Sequence, residues 1–300
     1  MSAKLDLSVI ILTGNEEIHI KRCLDHICDI AREVFVIDCF SSDKTLEIAS
    51  LYPEVTILQN KWVNYATQFN WALENAEIKT SWILRLDADE YLAEETKNRL
   101  FKELPEISED ISAIDLKLKH VFLGKLIKGG TGTKYLTRIF RTGKARSEVR
   151  QMDEHLEILS GKKIVWEEAF YDDNLNNLTW WTQKHNGYSI REAVDLLDLE
   201  YGLTDPILLG KIEGQAHQVR KAKIRYAKLP LFWRAFAYFM YRYFLRGGFL
   251  EGREGFLWCA LQGWWYRTLV DAKIYEIKKI CGNDKEKIRL YLRKTYNVNL

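Results

Sequence analysis

Residues 7–17 read Leu-Ser-Val-Ile-Ile-Leu-Thr-Gly-Asn-Glu-Glu, a short apolar run that ends in a polar turn. An apolar run of this length with Gly and Asn at its end is typical of a strand buried in a parallel sheet. Residues 17–30 then place apolar side chains at helical spacing, which predicts an amphipathic helix. The start of the chain therefore predicts a βα unit.

The same alternation of patterns continues as far as residue 90. The predicted segments are strands at 33–38, 55–58 and 81–86, and helices at about 45–52 and 64–75. Strands that alternate with helices form a parallel sheet with helices on both faces. Ligands bind such sheets beyond the carboxyl ends of the strands, where Asn15, Asp38 and Asp87 lie. We therefore predict an α/β fold with a binding site at that edge.

The pattern changes in the second half of the chain. Residues 113–120 and 135–141 read as strands, and the Gly-rich stretch 124–133 between them predicts a mobile loop or hairpin. Residues 180–197 and the chain beyond 204 read as helices, with a break at Gly247-Gly248. We expect a catalytic domain over 1–213 and a helical C-terminal segment over 214–300.

The overall charge hides a strong asymmetry. The chain has 300 residues, a 47% apolar share and a net charge of only +2, which is typical of a globular protein. Residues 1–213 carry 26 basic and 36 acidic side chains, whereas residues 214–300 carry 18 basic and 6 acidic. The C-terminal segment also holds 18 of the 38 aromatic residues, and it has no acidic residue between 214 and 250.

A basic and aromatic segment suits the headgroup region of an anionic membrane. Packing of the aromatic side chains against the catalytic domain is the alternative, and both interpretations stay open. No nucleic-acid-binding motif accompanies the basic residues, so we expect no nucleic-acid partner. The longest apolar stretch, 229–245, is interrupted by Arg234 and Arg242 and falls short of the ~20 apolar residues of a spanning helix.

The five cysteines form no CxxC pair, which argues against a zinc site or a disulfide framework. The N-terminal apolar run is too short for a secretory signal. We therefore expect a cytoplasmic protein with reduced thiols, peripheral on the inner face of the cytoplasmic membrane.

Asp87-Ala-Asp89, directly after a predicted strand, is the most informative local feature. Two carboxylates at this spacing can reach one hard divalent cation, which would neutralise a diphosphate leaving group. A solvated acidic turn is the alternative for an isolated motif of this kind. Arg138 and Arg141 lie in a predicted strand with alternating residue types. They either contact phosphates or belong to a solvated strand face, and the sequence leaves both roles open.

Three segments together resemble the family 2 glycosyltransferases of the GT-A fold. They are Leu7–Glu17, Val36-Ile-Asp-Cys-Phe-Ser-Ser-Asp-Lys-Thr45 and Leu84-Arg-Leu-Asp-Ala-Asp-Glu90. The resemblance covers roughly residues 6–200, and it is strongest to the bacterial lipopolysaccharide-core and capsule branch through residues 62–72, 153–156 and 248–255. It implies inverting transfer from a nucleotide-sugar, most often a UDP-sugar, to a glycan or lipid-linked acceptor, with Mg²⁺ or Mn²⁺ as cofactor.

The resemblance also implies roles for individual residues. Those expected to line the nucleotide and donor-sugar pocket are Thr13, Asn15, Glu16, Asp38, Asp43, Gln68, Asn70 and Asp87. Asp89 is the expected metal ligand, with Asp87 near the ribose or a metal-bound water. Glu154 is the expected catalytic base, and Asp153 is its alternative because the order of the acidic pair is reversed here. His155 either completes the metal shell, binds a phosphate or is structural.

Two other functions remain compatible with the sequence. The chain could be a catalytically silent scaffold that binds a nucleotide-sugar at the membrane, although its acidic set is complete. A nucleotidyltransferase also combines a doubly wound sheet with paired carboxylates. That class usually has a Gly-rich, basic phosphate loop after its first strand, whereas this chain has the acidic Gly14-Asn-Glu-Glu17.

Overall fold

The computed structural model describes residues 4–148, 155–203 and 224–298. The described residues form two compact units. The first unit holds residues up to 126 together with 132–148 and 155–175, and the second holds 127–131 and the chain from 176 onward. The domain boundary predicted at residue 213 lies outside the described residues and stays a prediction.

The first unit is built on one large mixed sheet. Its strands are β1 (Leu5–Thr13), β2 (Ala31–Asp38), β3 (Val55–Gln59), β4 (Trp82–Asp87), β5 (Glu90–Leu92), β6 (Ile111–Phe122), β7 (Lys125–Ile127), β8 (Lys134–Arg141) and β11 (Lys162–Asp173), while β9 (Ala145–Ser147) and β10 (Leu156–Ile158) pair separately. The order is β3-β2-β1-β4-β8-β6-β11-β5, with β7 beside β6. The first four strands in that order are parallel, and β8 is antiparallel to β4 and β6.

Helices cover both faces of the sheet. They are α1 (Ile20–Ile27), α2 (Thr45–Ala49), α3 (Tyr65–Asn75) and α4 (Glu94–Glu103). Alternate residues of β1 enter different cores: Val9 and Ile11 pack in the cluster that contains Leu24 of α1, whereas Ile10 packs in the cluster that contains Phe69 of α3. Burial on both faces explains why β1 is a continuous apolar run in the sequence. Parallel strands with helices on both faces confirm the predicted α/β fold.

The parallel register brings polar strand ends together. Thr13 pairs with Asp38 across β1 and β2, and Leu12 pairs with Asp87 across β1 and β4. The carboxyl ends of β2, β1 and β4 therefore meet at one edge of the sheet, as the sequence predicts.

The second unit is helical. Its helices are α5 (Leu178–Tyr201), α6 (Trp233–Met240), α7 (Gly252–Trp258), α8 (Tyr266–Cys281) and α9 (Lys285–Tyr296). A π-helical stretch, Tyr241–Leu245, continues α6, and another, Cys259–Trp265, joins α7 to α8. Leu197, Val270 and Leu292 share one core. The predicted break lies at Gly247, where φ is +72°. Within the described ranges, no helix is both long and apolar enough to cross a bilayer.

The Gly-rich stretch 124–133, expected to be a mobile loop or a hairpin, begins with a hairpin, since only residues 123 and 124 separate β6 from β7. Residues 125–127 form β7 against β6, and residues 129–131 belong to the second unit. Gly129 N donates to Glu251 Oε1 (2.8 Å) and Gly130 N donates to the Arg246 carbonyl (2.8 Å). Gly130 has φ +72°, and a Cβ there would lie 2.6 Å from Cys259 Sγ. Only glycine fits this position, so close packing explains the glycine at residue 130.

Candidate active site

Residues 87–90, which we call the acidic turn, connect the carboxyl end of β4 to β5. Glu90 Oε2 accepts a hydrogen bond from Asp87 N (3.0 Å), which closes the turn. Asp87 Oδ2 lies 4.0 Å from an Arg138 nitrogen. Asp87 Oδ1 is buried and accepts no hydrogen bond from any described residue. A buried carboxylate oxygen without a partner is costly, so this atom is suited to an external ligand.

The second carboxylate of the acidic turn is positioned by the end of β11. Asn174 Nδ2 donates to Asp89 Oδ2 (2.9 Å), and Asp173 N donates to the Asp89 carbonyl (3.1 Å). Arg22 of α1 pairs with the Asp173 carboxylate at 2.6 Å and donates to the same Asp89 carbonyl at 3.4 Å. Asn174, Asp173 and Arg22 thus orient Asp89, and the sequence analysis did not identify any of them.

A buried ion pair lies beneath the turn. Glu90 is 4% exposed and Arg138 is 6% exposed, and the guanidinium bonds the carboxylate directly. Burial raises the pKa of Glu90, and the attraction of Arg138 opposes this rise. Arg141 instead donates to the carbonyls of Ile107 and Ile111. In this structure both arginines therefore have partners within the protein. The sequence analysis left open phosphate contact or a solvated strand face for them, and neither describes these contacts.

Asp38 lies at the predicted strand end but is fully buried. Its carboxylate accepts hydrogen bonds from Thr13 Oγ1 (3.1 Å), Ser41 N (2.8 Å) and Gln59 Nε2 (3.2 Å). These bonds fix the loop after β2. Contact between Asp38 and a nucleotide stays a prediction. It requires the Asp38 carboxylate to give up one of these hydrogen bonds for a bond to the nucleotide.

The loop after β1 is tied to the loop after β2. Asn15 has φ +58°, and its Oδ1 accepts from Ser42 N (2.8 Å). Glu16 N donates to Thr45 Oγ1 (2.7 Å), and Asp43 accepts from Thr45 N (3.0 Å) at the start of α2. Burial raises the pKa of Asp43, but the hydrogen bonds from Thr45 outweigh it and hold the pKa below its usual value. Asn15 remains exposed at the edge of the sheet, which suits its predicted role.

Gln68 and Asn70 of α3 have internal partners. Gln68 exchanges two hydrogen bonds with Asn60, from Asn60 Nδ2 (3.0 Å) and to the Asn60 carbonyl (3.2 Å). Asn70 exchanges two with the backbone of Ser147 in β9 (2.9 and 2.8 Å). In this arrangement both amides join parts of the chain to each other, and their predicted contacts with the donor stay predictions.

The predicted catalytic pair lies outside the described residues, since the description stops at 148 and resumes at 155. His155 is described, and its carbonyl accepts from Glu148 N (2.9 Å) where β9 and β10 pair. The roles of Asp153, Glu154 and the His155 side chain therefore stay predictions.

A divalent cation fits the acidic turn only with help from other ligands. No group of three or more His, Cys, Asp or Glu side chains among the described residues is arranged to hold a metal ion. Mg²⁺ typically binds one or two carboxylates and takes its other ligands from water and substrate phosphates. Asp87 Oδ1, buried without a partner, and Asp89, oriented by Asn174, match that requirement.

A cavity of about 580 Å³ lies beside the acidic turn in the first unit. His26, Tyr91 and Tyr171 form a stacked column along it, with ring centroids 4.8 and 5.1 Å apart, and Glu95 and Asp173 also line it. Aromatic rings together with carboxylates suit a polyhydroxylated ligand, because its apolar C–H groups can pack against a ring and its hydroxyl groups can donate to a carboxylate.

Comparison with known proteins identifies a family match. Residues 8–145 match the family model described as Glycosyl transferase family 2. This range contains most of β1, all of β2–β8 and the acidic turn, and the match confirms the resemblance drawn from the sequence.

Individual relatives differ in how much of the chain they match. An uncharacterized glycosyltransferase of Rickettsia bellii (strain RML369-C) is 38% identical over 95 residues, which are 31% of this chain and 31% of that protein. The chain thus matches under a third of that relative's length. The lipopolysaccharide core biosynthesis glycosyltransferase LpsC of Rhizobium meliloti (strain 1021) is 24% identical over 281 residues, 92% of this chain and 94% of that protein. The crystal structure of S. aureus TarS 1–349 in complex with UDP-GlcNAc is 17% identical with a TM-score of 0.46, over 98% of this chain and 92% of that one.

Proposed function

We propose, from the match of residues 8–145 to the family model described as Glycosyl transferase family 2, that the chain transfers a sugar from a nucleoside-diphosphate sugar to an acceptor hydroxyl. The acidic turn is the observation that carries this proposal. It presents a buried, unpartnered Asp87 oxygen and an oriented Asp89 at the carboxyl edge of the parallel strands. That edge is where such sheets bind their ligands.

The cofactor we propose is Mg²⁺ or Mn²⁺, held by Asp87 and Asp89. When bound, it neutralises negative charge on the departing diphosphate. Asn174 and Arg22 serve as positioning residues, because they hold the Asp89 side chain and carbonyl in place. A contribution of His155 to the metal shell belongs to the same proposal.

The chemistry requires a base on the acceptor side. We assign it to Glu154, with Asp153 as the alternative. The carboxylate takes the proton of the acceptor hydroxyl while that oxygen forms a bond to the anomeric carbon. The bond from this carbon to the diphosphate oxygen breaks on the opposite side, and its electron pair leaves with the diphosphate. Attack from the opposite side inverts the anomeric centre.

The donor, acceptor and pathway are finer proposals. We propose a UDP-sugar donor whose nucleotide lies along the loops that carry Thr13, Asn15, Glu16 and Asp43. The acceptor is a glycan or a lipid-linked saccharide in lipopolysaccharide or capsule assembly. Likeness to LpsC over 92% of this chain supports the pathway. An acceptor of this kind would place the enzyme on the inner face of the cytoplasmic membrane.

The test is a panel of nucleotide-sugars with Mn²⁺ and an acceptor extract, followed by release of nucleoside diphosphate. We expect turnover with one donor and a loss of at least about 100-fold on Asp89→Ala, because charge stabilisation of the transition state is removed. Glu154→Ala should abolish product while donor binding is retained. Asn75→Ala is the control, since among the described residues the Asn75 side chain bonds only the Trp71 carbonyl, within α3.

The same assay, with a nucleoside triphosphate and a sugar 1-phosphate added as a further pair of substrates, separates the alternatives. A silent scaffold would bind a nucleotide-sugar without releasing diphosphate under any condition. A nucleotidyltransferase would instead release pyrophosphate from a nucleoside triphosphate and a sugar 1-phosphate. Silence of the folded protein across the whole panel would refute the transferase proposal.

A further inference from the structure

The helical segment 233–245 of the second unit buries its two arginines and exposes apolar and aromatic side chains, unlike an ordinary surface helix. Arg234 and Arg242 are each only 3% exposed. The side chains on the outer face are apolar or aromatic: Trp233 73%, Phe236 39%, Met240 38%, Tyr241 45%, Phe244 51% and Leu245 79% exposed. A surface helix normally places its charges outward and its apolar stripe toward the core, so this outer face requires an explanation.

Both buried arginines have partners inside the second unit. Arg234 binds the Asp271 carboxylate through Nε (2.8 Å) and a terminal nitrogen (2.5 Å). Arg242 Nε donates to the Gly130 carbonyl (2.5 Å), and its Nη1 donates to Gln262. These contacts fix the rotation of the helix, so the apolar side cannot turn inward without breaking them.

The outer face continues onto neighbouring residues. The Phe236 and Trp264 ring centroids lie 5.8 Å apart, and those of Phe244 and Phe249 lie 6.4 Å apart. Trp264 and Phe249 are themselves 44% and 48% exposed. A contiguous apolar surface of this kind on a water-soluble protein marks an interaction site.

The charges around this face favour a lipid partner. Between residues 224 and 253 the exposed charged side chains are all basic, namely Arg225, Lys228, Arg246 and Arg253, and Glu254, which follows, is half-buried. The nearby Glu251 is turned inward, where it accepts from Gly129 N (2.8 Å). Aromatic and apolar side chains bordered by arginine and lysine match the boundary between anionic headgroups and acyl chains.

We propose that segment 233–245 lies in the plane of an anionic membrane and inserts its outer face, while Arg234 and Arg242 hold it in that orientation. The identification of the membrane as the cytoplasmic membrane rests on the proposed function. The surface itself does not, because it follows from the exposed side chains of the helix. The arginines inside the segment therefore do not bind lipid, and the surrounding basic residues supply the attraction.

The experiment is sedimentation of the full chain with vesicles of phosphatidylcholine alone or with about a third phosphatidylglycerol. We expect binding to the anionic vesicles and much weaker binding to the neutral ones. Trp233→Ser/Leu245→Ser should weaken binding roughly ten- to hundredfold, because two of the most exposed apolar side chains are lost. Leu51→Ser/Ile280→Ser is the matched control, since these residues are 75% and 57% exposed elsewhere, and it should bind like the parent.

Two results would overturn the proposal. One is parent-like vesicle binding by the Trp233→Ser/Leu245→Ser protein with its circular dichroism unchanged. The other is that the folded parent does not bind vesicles. This includes the case in which the parent is a dimer by sedimentation and the Trp233→Ser/Leu245→Ser protein is a monomer. Vesicle binding needs neither donor nor acceptor, so failure here with turnover retained leaves the transferase proposal standing.

Discussion

The ion pair between Arg234 and Asp271 allows a quantitative test of how the second unit is held together. Both side chains are buried, with 3% and 0% of each residue exposed. Asp271 also accepts a hydrogen bond from Phe232 N at 2.7 Å, and Phe232 has φ +68°, a conformation that is strained for a bulky residue. Asp271 therefore balances one buried charge and holds one strained backbone position.

Asp271→Ala leaves the Arg234 guanidinium buried without a counter-charge. Breaking a buried pair in this way costs about 3–5 kcal/mol. Replacing both partners by apolar residues removes the uncompensated charge, so Arg234→Met/Asp271→Leu should cost less. The remaining loss is about 1–3 kcal/mol, because Phe232 N then lacks its acceptor.

The assay is urea unfolding of three proteins, the parent, Asp271→Ala and Arg234→Met/Asp271→Leu, followed by tryptophan fluorescence and circular dichroism. We expect Asp271→Ala to lower the free energy of unfolding of the second unit by more than the double variant does. A loss below about 1 kcal/mol for Asp271→Ala, or equal losses for the two variants, would refute the structural role of this pair.

Two further predictions concern the acidic turn and the pH response of the second unit. Asn174→Ala should raise the Mn²⁺ concentration needed for half-maximal turnover about 10–100-fold, since it removes the bond that orients Asp89; unchanged metal dependence would contradict the positioning role. Burial lowers the pKa of His185 to about 4 from 6.5, so the unfolded chain takes up this proton first and stability falls as the pH drops from about 6.5 toward 4. Between pH 8 and pH 5 the loss should be about 1–2 kcal/mol after allowance for partial exposure. His185→Phe, which retains a ring against Trp181, should remove that slope in urea unfolding, and an identical slope in both proteins would refute the assignment.

The strands predicted correctly from the sequence are those whose own residues define them. β1, β2 and β4 are apolar runs buried on both faces, and such runs are recognisable without knowledge of their neighbours. β11 was missed because exposed Glu167 interrupts its apolar pattern. β5 and β7 have three residues each, too few for any periodicity, so pairing with distant strands defines them.

The candidate site divides in the same way. The ends of β1, β2 and β4 could be placed together because parallel topology dictates it. The partners of individual side chains could not be predicted, because Asn174 lies 85 positions from Asp89 and Ser147 lies 77 positions from Asn70. A polar residue near a predicted site has the same appearance in sequence whether it faces a ligand or another part of the chain.

In the C-terminal segment, the basic residues that suggest an anionic partner in the sequence do not all lie on the surface. Its excess of basic residues predicts an anionic surface, yet Arg234 and Arg242 point into the unit and meet Asp271 and the Gly130 carbonyl. The two arginines are eight positions apart, so they share a helix face, and the sequence alone leaves open whether that face is outside or inside. An ordinary helix would expose it. Acceptors that are distant in sequence turn the two arginines inward. The aromatic side chains of the helix are therefore exposed, and in our proposal they are what contacts the membrane.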